Sequence, residues 1–365
     1  MKKIVLVAGV IFSLIIIGIL LIRTNSKNTN ITKKKTKVGL IMNSVKDDGT
    51  WGQSHFEGIK NCEEELNLEV IYAEEVPKNE ECVKIMEELI KEGCEIIICN
   101  SYDYGQYELE VAEKYPDVYF LHASGVKESK NLATYFGRMY QVRYLTGIVA
   151  GLQSESGEIG YVAAFDIPEV NRGINAFTLG VREVNPEAVV HVCWSGTWID
   201  YDITSDATNK LLEKHPAIDV LTVHSDSLAT MDIAEEKGIW SIGYDYDNSD
   251  TYTNTYLTAA VWNWEAFYRE HIKRCLQGKF QGKHYWDGIE SDIVRISKFT
   301  SNVKKGISEK VVVAKNKLEN GEFDVFYGPI YDNEGNLRVS EGESMTDEAM
   351  LNDFNWFVEG VQIDE

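Results

Sequence analysis

The chain contains no C-x-x-C pair, no HExxH helix motif, no GxSxG elbow and no GxxxxGK[ST] loop. These absences remove the common zinc-ribbon and dithiol frameworks, zinc proteases, serine hydrolases of the elbow type and P-loop nucleotide chemistry. Six cysteines in 365 residues (Cys62, Cys82, Cys94, Cys99, Cys193 and Cys275) are too sparse for a disulfide scaffold. Cys99 and Cys193 lie inside apolar runs, as buried free thiols do. Mostly free thiols are expected, with a pairing among Cys62, Cys82 and Cys94 left open. Positive charge is also scarce, with 36 basic against 58 acidic residues. Residues 1–37 carry eight basic residues and no acid, which leaves 28 basic against 58 acidic in the remainder, a net charge of -30. A body that acidic repels polyanions, so no nucleic-acid partner is expected. The seven histidines form no metal motif, and His191-x-Cys193 supplies too few ligands for zinc. No cofactor, metal site or assembled nucleophile and base is expected. His55, one helical turn beyond Trp51, is expected to pack or to make a hydrogen bond.

The one long hydrophobic run is 4–22, IVLVAGVIFSLIIIGILLI, preceded by Lys2 and Lys3. It is long enough to span a bilayer and longer than a signal-peptide core, and neither a small-x-small cleavage site nor a lipidation cysteine follows. It reads as an uncleaved anchor, with 23–36 as a basic tether. The distribution of lysines on its two sides leaves its orientation open.

From Lys37 onward a regular pattern begins. Apolar strand-like runs occur at 38–42, 68–73, 95–100, 118–123, 158–165, 188–194, 219–225 and 239–244, with helical segments between most of them. That alternation predicts βαβ units and parallel sheets. One set precedes about residue 130 and another follows about 155, joined by a helix over 139–153. Two α/β lobes around a cleft are expected: lobe 1 from about 37–130 plus 262–325, lobe 2 from about 131–261 plus a C-terminal crossover. The segment 256–268 is expected to cross back to lobe 1, and DNEGN (332–336) to form a turn or hairpin.

In open α/β sheets, ligands bind where strands end and helices begin. At those places stand Asp48 and Trp51, then Ser101, Tyr102, Asp103 and Tyr104. In the second set they are Phe165 and Asp166, Trp194 and Trp198, Asp226 and Ser227, Asp245 and Asp247, with Trp262 on the returning segment. Aromatic faces with a few carboxylates suit a flat heterocycle bearing N–H donors. Taken singly, Asp48 can equally be a helix cap and Trp51 a core residue.

The segment DDGTWGQSHFEG resembles the D-x-G-W-x-x-x-H-x-x-G stretch of the basic membrane protein (BMP) family, substrate-binding proteins of ABC transporters. The likeness continues in 133–151, in GYVAAFDIPEVNRGINAFTLGVREVNP (160–186), and in TWIDY, HSDS, IGYDYD, AAVWNW and FYGPIYDNEGNLRV, reaching nearly all of 37–361. The resemblance implies the type I periplasmic-binding fold: two Rossmann-like lobes, three crossovers, and closure on a ligand that is passed to a permease. It implies no enzymatic activity, and it places the domain outside the cytoplasm, held by the N-terminal anchor. Members bind purine nucleosides or free bases. Trp51 then matches the aromatic that stacks on the base, Trp198 a second aromatic from the other lobe, and Asp48 and Asp245 the acidic contacts. Ser101, Tyr102, Tyr104 and Asp226 complete the expected ligand-binding set. Trp262 stands where nucleoside-binding members carry a lysine near the ribose. That difference, with DGTW in place of DKSF, resembles the branch for free bases such as adenine. Two departures are the missing lipidation cysteine, which also fits a membrane-anchored sensor, and Asp245 where the base-binding branch often has glutamine.

Overall fold

The computed structural model describes residues 34–364. The anchor read from 4–22 lies outside the described residues, and among the described residues no helix is long and apolar enough to cross a membrane. The first strand starts at Thr36, the residue at which the tether was expected to end.

Two sheets carry the fold. The first is built from β1 (Thr36–Ile41), β2 (Leu68–Ala73), β3 (Cys94–Cys99), β4 (Tyr119–Ala123), β5 (Leu132–Gly137) and β11 (His284–Asp287), in the order β11-β5-β4-β3-β1-β2. All its pairings are parallel. The second holds β6 (Glu158–Ala163), β7 (Val189–Trp194), β8 (Val220–His224), β9 (Trp240–Asp245), β10 (Tyr256–Trp262), β12 (Val294–Ile296) and β15 (Val361–Asp364), in the order β12-β10-β9-β8-β6-β7-β15. It is parallel except at β12, which runs antiparallel to β10. Helices cover both faces, so the strands are apolar along their length, as in the fully buried III of β3.

Most helices connect successive strands: α1 (Trp51–Lys60), α2 (Glu81–Lys91), α3 (Gly105–Lys114), α4 (Met139–Gln153), α5 (Pro168–Val184), α6 (Tyr201–Lys214), α7 (Ala229–Lys237) and α8 (Trp264–Leu276). The closest helix pair is α4 with α5, and glycine makes it possible. A Cβ at Gly147 would lie 2.0 Å from the carbonyl oxygen of Phe177, and one at Gly180 would lie 2.0 Å from that of Tyr144. Any side chain at either position would force the helices apart.

The chain passes between the sheets three times, after β5, after β10 and after β11, as the type I periplasmic-binding architecture requires. The crossovers are bonded to one another. Arg138 N donates to Asp287 O and Asn263 N to Ile293 O, both at 2.8 Å. The segment 256–268 does return to the first lobe, because α8 packs on α1.

The expected lobe limits need correction. β5 belongs to the first sheet, so the first crossover comes at Arg138 and not near 130. After β11 the chain returns to the second lobe by β12, followed by α9 (Ile307–Glu319), which packs on α4, so the first lobe does not extend to 325. Both errors come from short or aromatic strands, LATYFG and VRI, that lack a long aliphatic run. A hairpin of β13 (Ile330–Tyr331) and β14 (Leu337–Val339) turns at DNEGN as expected, with the Asp332 carboxylate accepting from Glu334 N, Asn336 N and Arg338 Nε. The short α10 (Asp347–Asn352) then places Asp347 in a bidentate pair with Arg138, at 2.8 and 2.6 Å, beside the first crossover. All six cysteines are buried and free.

Candidate ligand-binding cleft

In each sheet the strand order reverses at one place, between β1 and β3 in the first and between β6 and β8 in the second. A crevice opens at such a switch point because the loops on either side leave toward opposite faces. At the first switch point the loops are tied by Asn100, whose Oδ1 accepts from Asn43 N at 3.0 Å and whose carbonyl accepts from Trp51 Nε1 at 2.7 Å. At the second stand Ser225 and Asp226, just past β8.

Trp51 is fixed by more than that hydrogen bond. It is 9% exposed, and its ring packs edge-on against His55, Trp262 and Trp264 at centroid distances of 4.5, 5.6 and 5.5 Å, with Phe136 at 6.3 Å. Trp262 stacks on Trp264 at 4.6 Å and touches Phe136 at 4.7 Å. Trp262 ends β10 in the second lobe, whereas Phe136 and Trp51 belong to the first, so this aromatic group bridges the two. The lobes also meet through the α1 loop. Asn248 Nδ2 donates to the Gly49 carbonyl at 2.9 Å, and a Cβ at Gly49 would lie 3.0 Å from Leu228 Cδ1. Gly49 has φ +75°, where a side chain is strained in any case.

The carboxylates divide into two kinds. Asp48 is committed to its own loop, where it accepts from Ser44 Oγ (2.7 Å), Thr50 N (2.8 Å), Gly52 N (2.9 Å) and Gln53 N (2.9 Å). It caps α1 and shapes the turn, and this corrects its expected role as a direct acceptor for the ligand. Asp245 is fully buried and held at φ +65°. Its Oδ1 accepts from Trp262 Nε1 at 2.8 Å, while its Oδ2 is buried without a hydrogen-bond partner in the protein. Burial and then the neighbouring Asp226 carboxyl raise Asp245 well above the usual carboxylate range. Asp226 is pushed up to about 7, chiefly by burial, with the Asp48 charge adding to the effect. Two neighbouring carboxyls disfavour each other's ionised form, which favours the protonated state of the pair.

The structure thus brings together Trp51, Trp262, Asp245, Asp226 and Trp198. The last joins through its carbonyl, which accepts from Asp226 N at 2.8 Å, while its ring leans on Phe165 at 5.6 Å. Ser101 adjoins Asn100 but offers its carbonyl to His122 Nε2 at 2.8 Å. Tyr104 is a correction: it is fully buried in the packing of the first lobe, and its hydroxyl donates to Val76 O at 2.7 Å. Tyr102 is 60% exposed and joins none of these contacts. His55 is structural, as expected, being buried, stacked on Trp264 at 4.6 Å and bonded to the Tyr268 hydroxyl, and burial pushes its pKa down.

Sequence reasoning missed Asn43, Asn100, Phe136 and Ser225. Asn43 Oδ1, Asn100 Nδ2 and Ser225 Oγ are buried polar atoms without a partner in the protein, all at strand ends beside the switch points. The signal was present, since each asparagine follows its apolar run at once or nearly so.

A family model described as ABC transporter substrate-binding protein, PnrA-like, matches residues 35–325. The chain belongs to that family. Its members are solute-binding proteins and not enzymes. The chain is 31% identical over 331 residues to a purine-binding protein of Brucella abortus, covering 90% of this chain and 93% of that one. It is 33% identical over 314 residues to a putative ABC transporter glucose-binding protein of Haloferax volcanii, covering 86% and 76%. The crystal structure of a transcriptional activator of the comK gene from Bacillus halodurans superposes with a TM-score of 0.70 at 25% identity, covering 79% of this chain and 99% of the other.

Proposed function

We propose that this member of the PnrA-like family binds a purine outside the cytoplasm, favours a free base such as adenine over its nucleoside, and delivers it to an ABC permease by opening and closing its lobes. The observation that carries this reading is the contact of Trp262 Nε1 with Asp245 Oδ1, within an aromatic group shared by both lobes. It gives the cleft one directed buried acceptor or, when protonated, donor at Asp245 Oδ2, next to indole faces. That pattern suits the edge and face of a heterocycle. A ribose set against Trp262 would lose water without gaining an acceptor. The relative named for purine binding supports the ligand class, and the relative named for glucose makes hexoses the proper competitors. The domain would be held at the membrane by the run 4–22, and full-length protein that resists carbonate extraction would agree with that.

A thermal-shift screen of purine bases, nucleosides and hexoses tests the ligand class. Stabilisation by bases is expected, and stabilisation by glucose alone would overturn the reading. A second reading is that of a membrane-anchored sensor or regulator using the same fold. The likeness to the comK activator favours it. Loss of labelled purine uptake on deleting the gene supports delivery. Unchanged uptake with altered transcription would support the sensor.

A further inference from the structure

On the far edge of the second sheet a cluster remains that the cleft does not use. The sequence shows only His191-x-Cys193 there. The fold adds His215, which follows the last turn of α6, and Asp364 on β15, which pairs beside Cys193. One ligand atom from each of His191, His215 and Asp364 lies within 4.8 Å of the others. The two imidazoles stack at 3.7 Å, and His215 Nε2 meets Asp364 Oδ2 at 2.7 Å. Glu158, the first residue of β6, bonds His191 Nε2.

We propose that His191, His215 and Asp364 bind a first-row divalent transition metal, zinc in first place, with Glu158 orienting the His191 ring. Four features support this. Two imidazoles and a carboxylate form a donor set that zinc accepts and that oxygen-seeking calcium and magnesium do not favour. His191 is 3% exposed, and its Nδ1 is buried without a hydrogen-bond partner in the protein, so a dry lone pair or N–H is left unused. A carboxylate on the second nitrogen of a ligating histidine fixes its tautomer and raises its basicity, which is the relation of Glu158 to His191. Finally, a cavity of about 430 Å³ bordered by Cys193, Asp206, Lys210, Lys214 and Asp364 reaches the carboxylate of the set, though neither histidine lines it.

Asp364 is 7% exposed and now meets Lys214 Nζ at 2.9 Å. The metal replaces that ammonium, whose side chain is more than half exposed and free to turn outward. Bound there, the ion ties β15 to β7 and to the end of α6. The site is independent of the purine reading. The competing account is that the same contacts only hold β15 on the sheet.

The test uses full-length, chelator-stripped protein without a polyhistidine tag. Titration with Co²⁺ should give visible ligand-field bands saturating near one equivalent. Zn²⁺ should displace the Co²⁺ and raise the thermal midpoint, and Mg²⁺ should do neither. His215→Gln and Asp364→Asn should abolish the bands, and Glu158→Gln should weaken binding roughly 10–100-fold. His191→Ala should also abolish them. Should that variant fail to fold, His215→Gln decides, because His215 is partly exposed. Absence of bands in the wild type, or bands unchanged in His215→Gln and Asp364→Asn, would overturn the assignment.

Discussion

Replacing Trp51 probes folding and binding at one position, because the ring is both packed and placed at the cleft. The indole is 9% exposed, touches four rings and donates to the Asn100 carbonyl. Truncating a packed aromatic to alanine costs about 3–5 kcal/mol, and the stranded carbonyl falls within that range of effects. Trp51→Ala should therefore lose that much stability without any ligand. The family resemblance alone, with Trp51 as the aromatic that stacks on the base, expects an intact fold. Base stacking adds a second loss of roughly 1–3 kcal/mol, or about tenfold to a hundredfold in affinity. Trp51→Phe keeps a ring but removes the N–H, so it should lose about 1–3 kcal/mol of stability and retain most of the affinity. Denaturant unfolding followed by circular dichroism reads the first quantity, and calorimetry well below the transition reads the second. If Trp51→Ala unfolds with the wild type, the packing argument is wrong. If it binds like the wild type, the ring does not meet the ligand.

Asp226 and Asp245 have carboxyl pKa values raised above those of the unfolded chain, so their contribution is full below the unfolded carboxylate range and is lost progressively as pH rises above it, the Asp226 part by about 7. Asp245→Asn should accordingly raise the thermal midpoint relative to wild type by clearly more at pH 8 than at pH 5; an equal shift at both values would remove the shared-proton account. Gly49→Ala places a Cβ 3.0 Å from Leu228 at φ +75°, and a left-handed residue costs about 1–2 kcal/mol. Small-angle scattering should show less ligand-induced compaction for this variant than for wild type, with Leu228→Ala restoring part of it. Identical compaction would mean the lobes do not meet at Gly49.

Much of the fold was legible because both sheets are buried on two sides, which forces continuous aliphatic runs and clear βαβ alternation. β5 and β12 were not, because Tyr135 and Phe136 read as easily as helix packing and three residues carry no period. In the cleft, the strand-end rule picked out Trp51, Trp198, Asp226, Asp245 and Trp262, which the fold brings together. It could not show that Asp48 would be taken up by four local donors, nor that Tyr104 would turn into the first lobe, since a 3-10 turn at Tyr102–Tyr104 redirects the side chains there. The His191 cluster was invisible for another reason: its members come from four elements, separated by up to 206 residues between Glu158 and Asp364.

The central claim is that the cleft takes a free purine base, with Asp245 meeting its edge and Trp262 disfavouring the ribose. Calorimetric titrations of one preparation with adenine and with adenosine test it most directly. A desolvated ribose hydroxyl without a partner loses roughly 1–3 kcal/mol, so adenine should bind at least about tenfold more tightly. Tighter binding of adenosine would contradict the free-base assignment, and no heat with either ligand would contradict the purine reading itself.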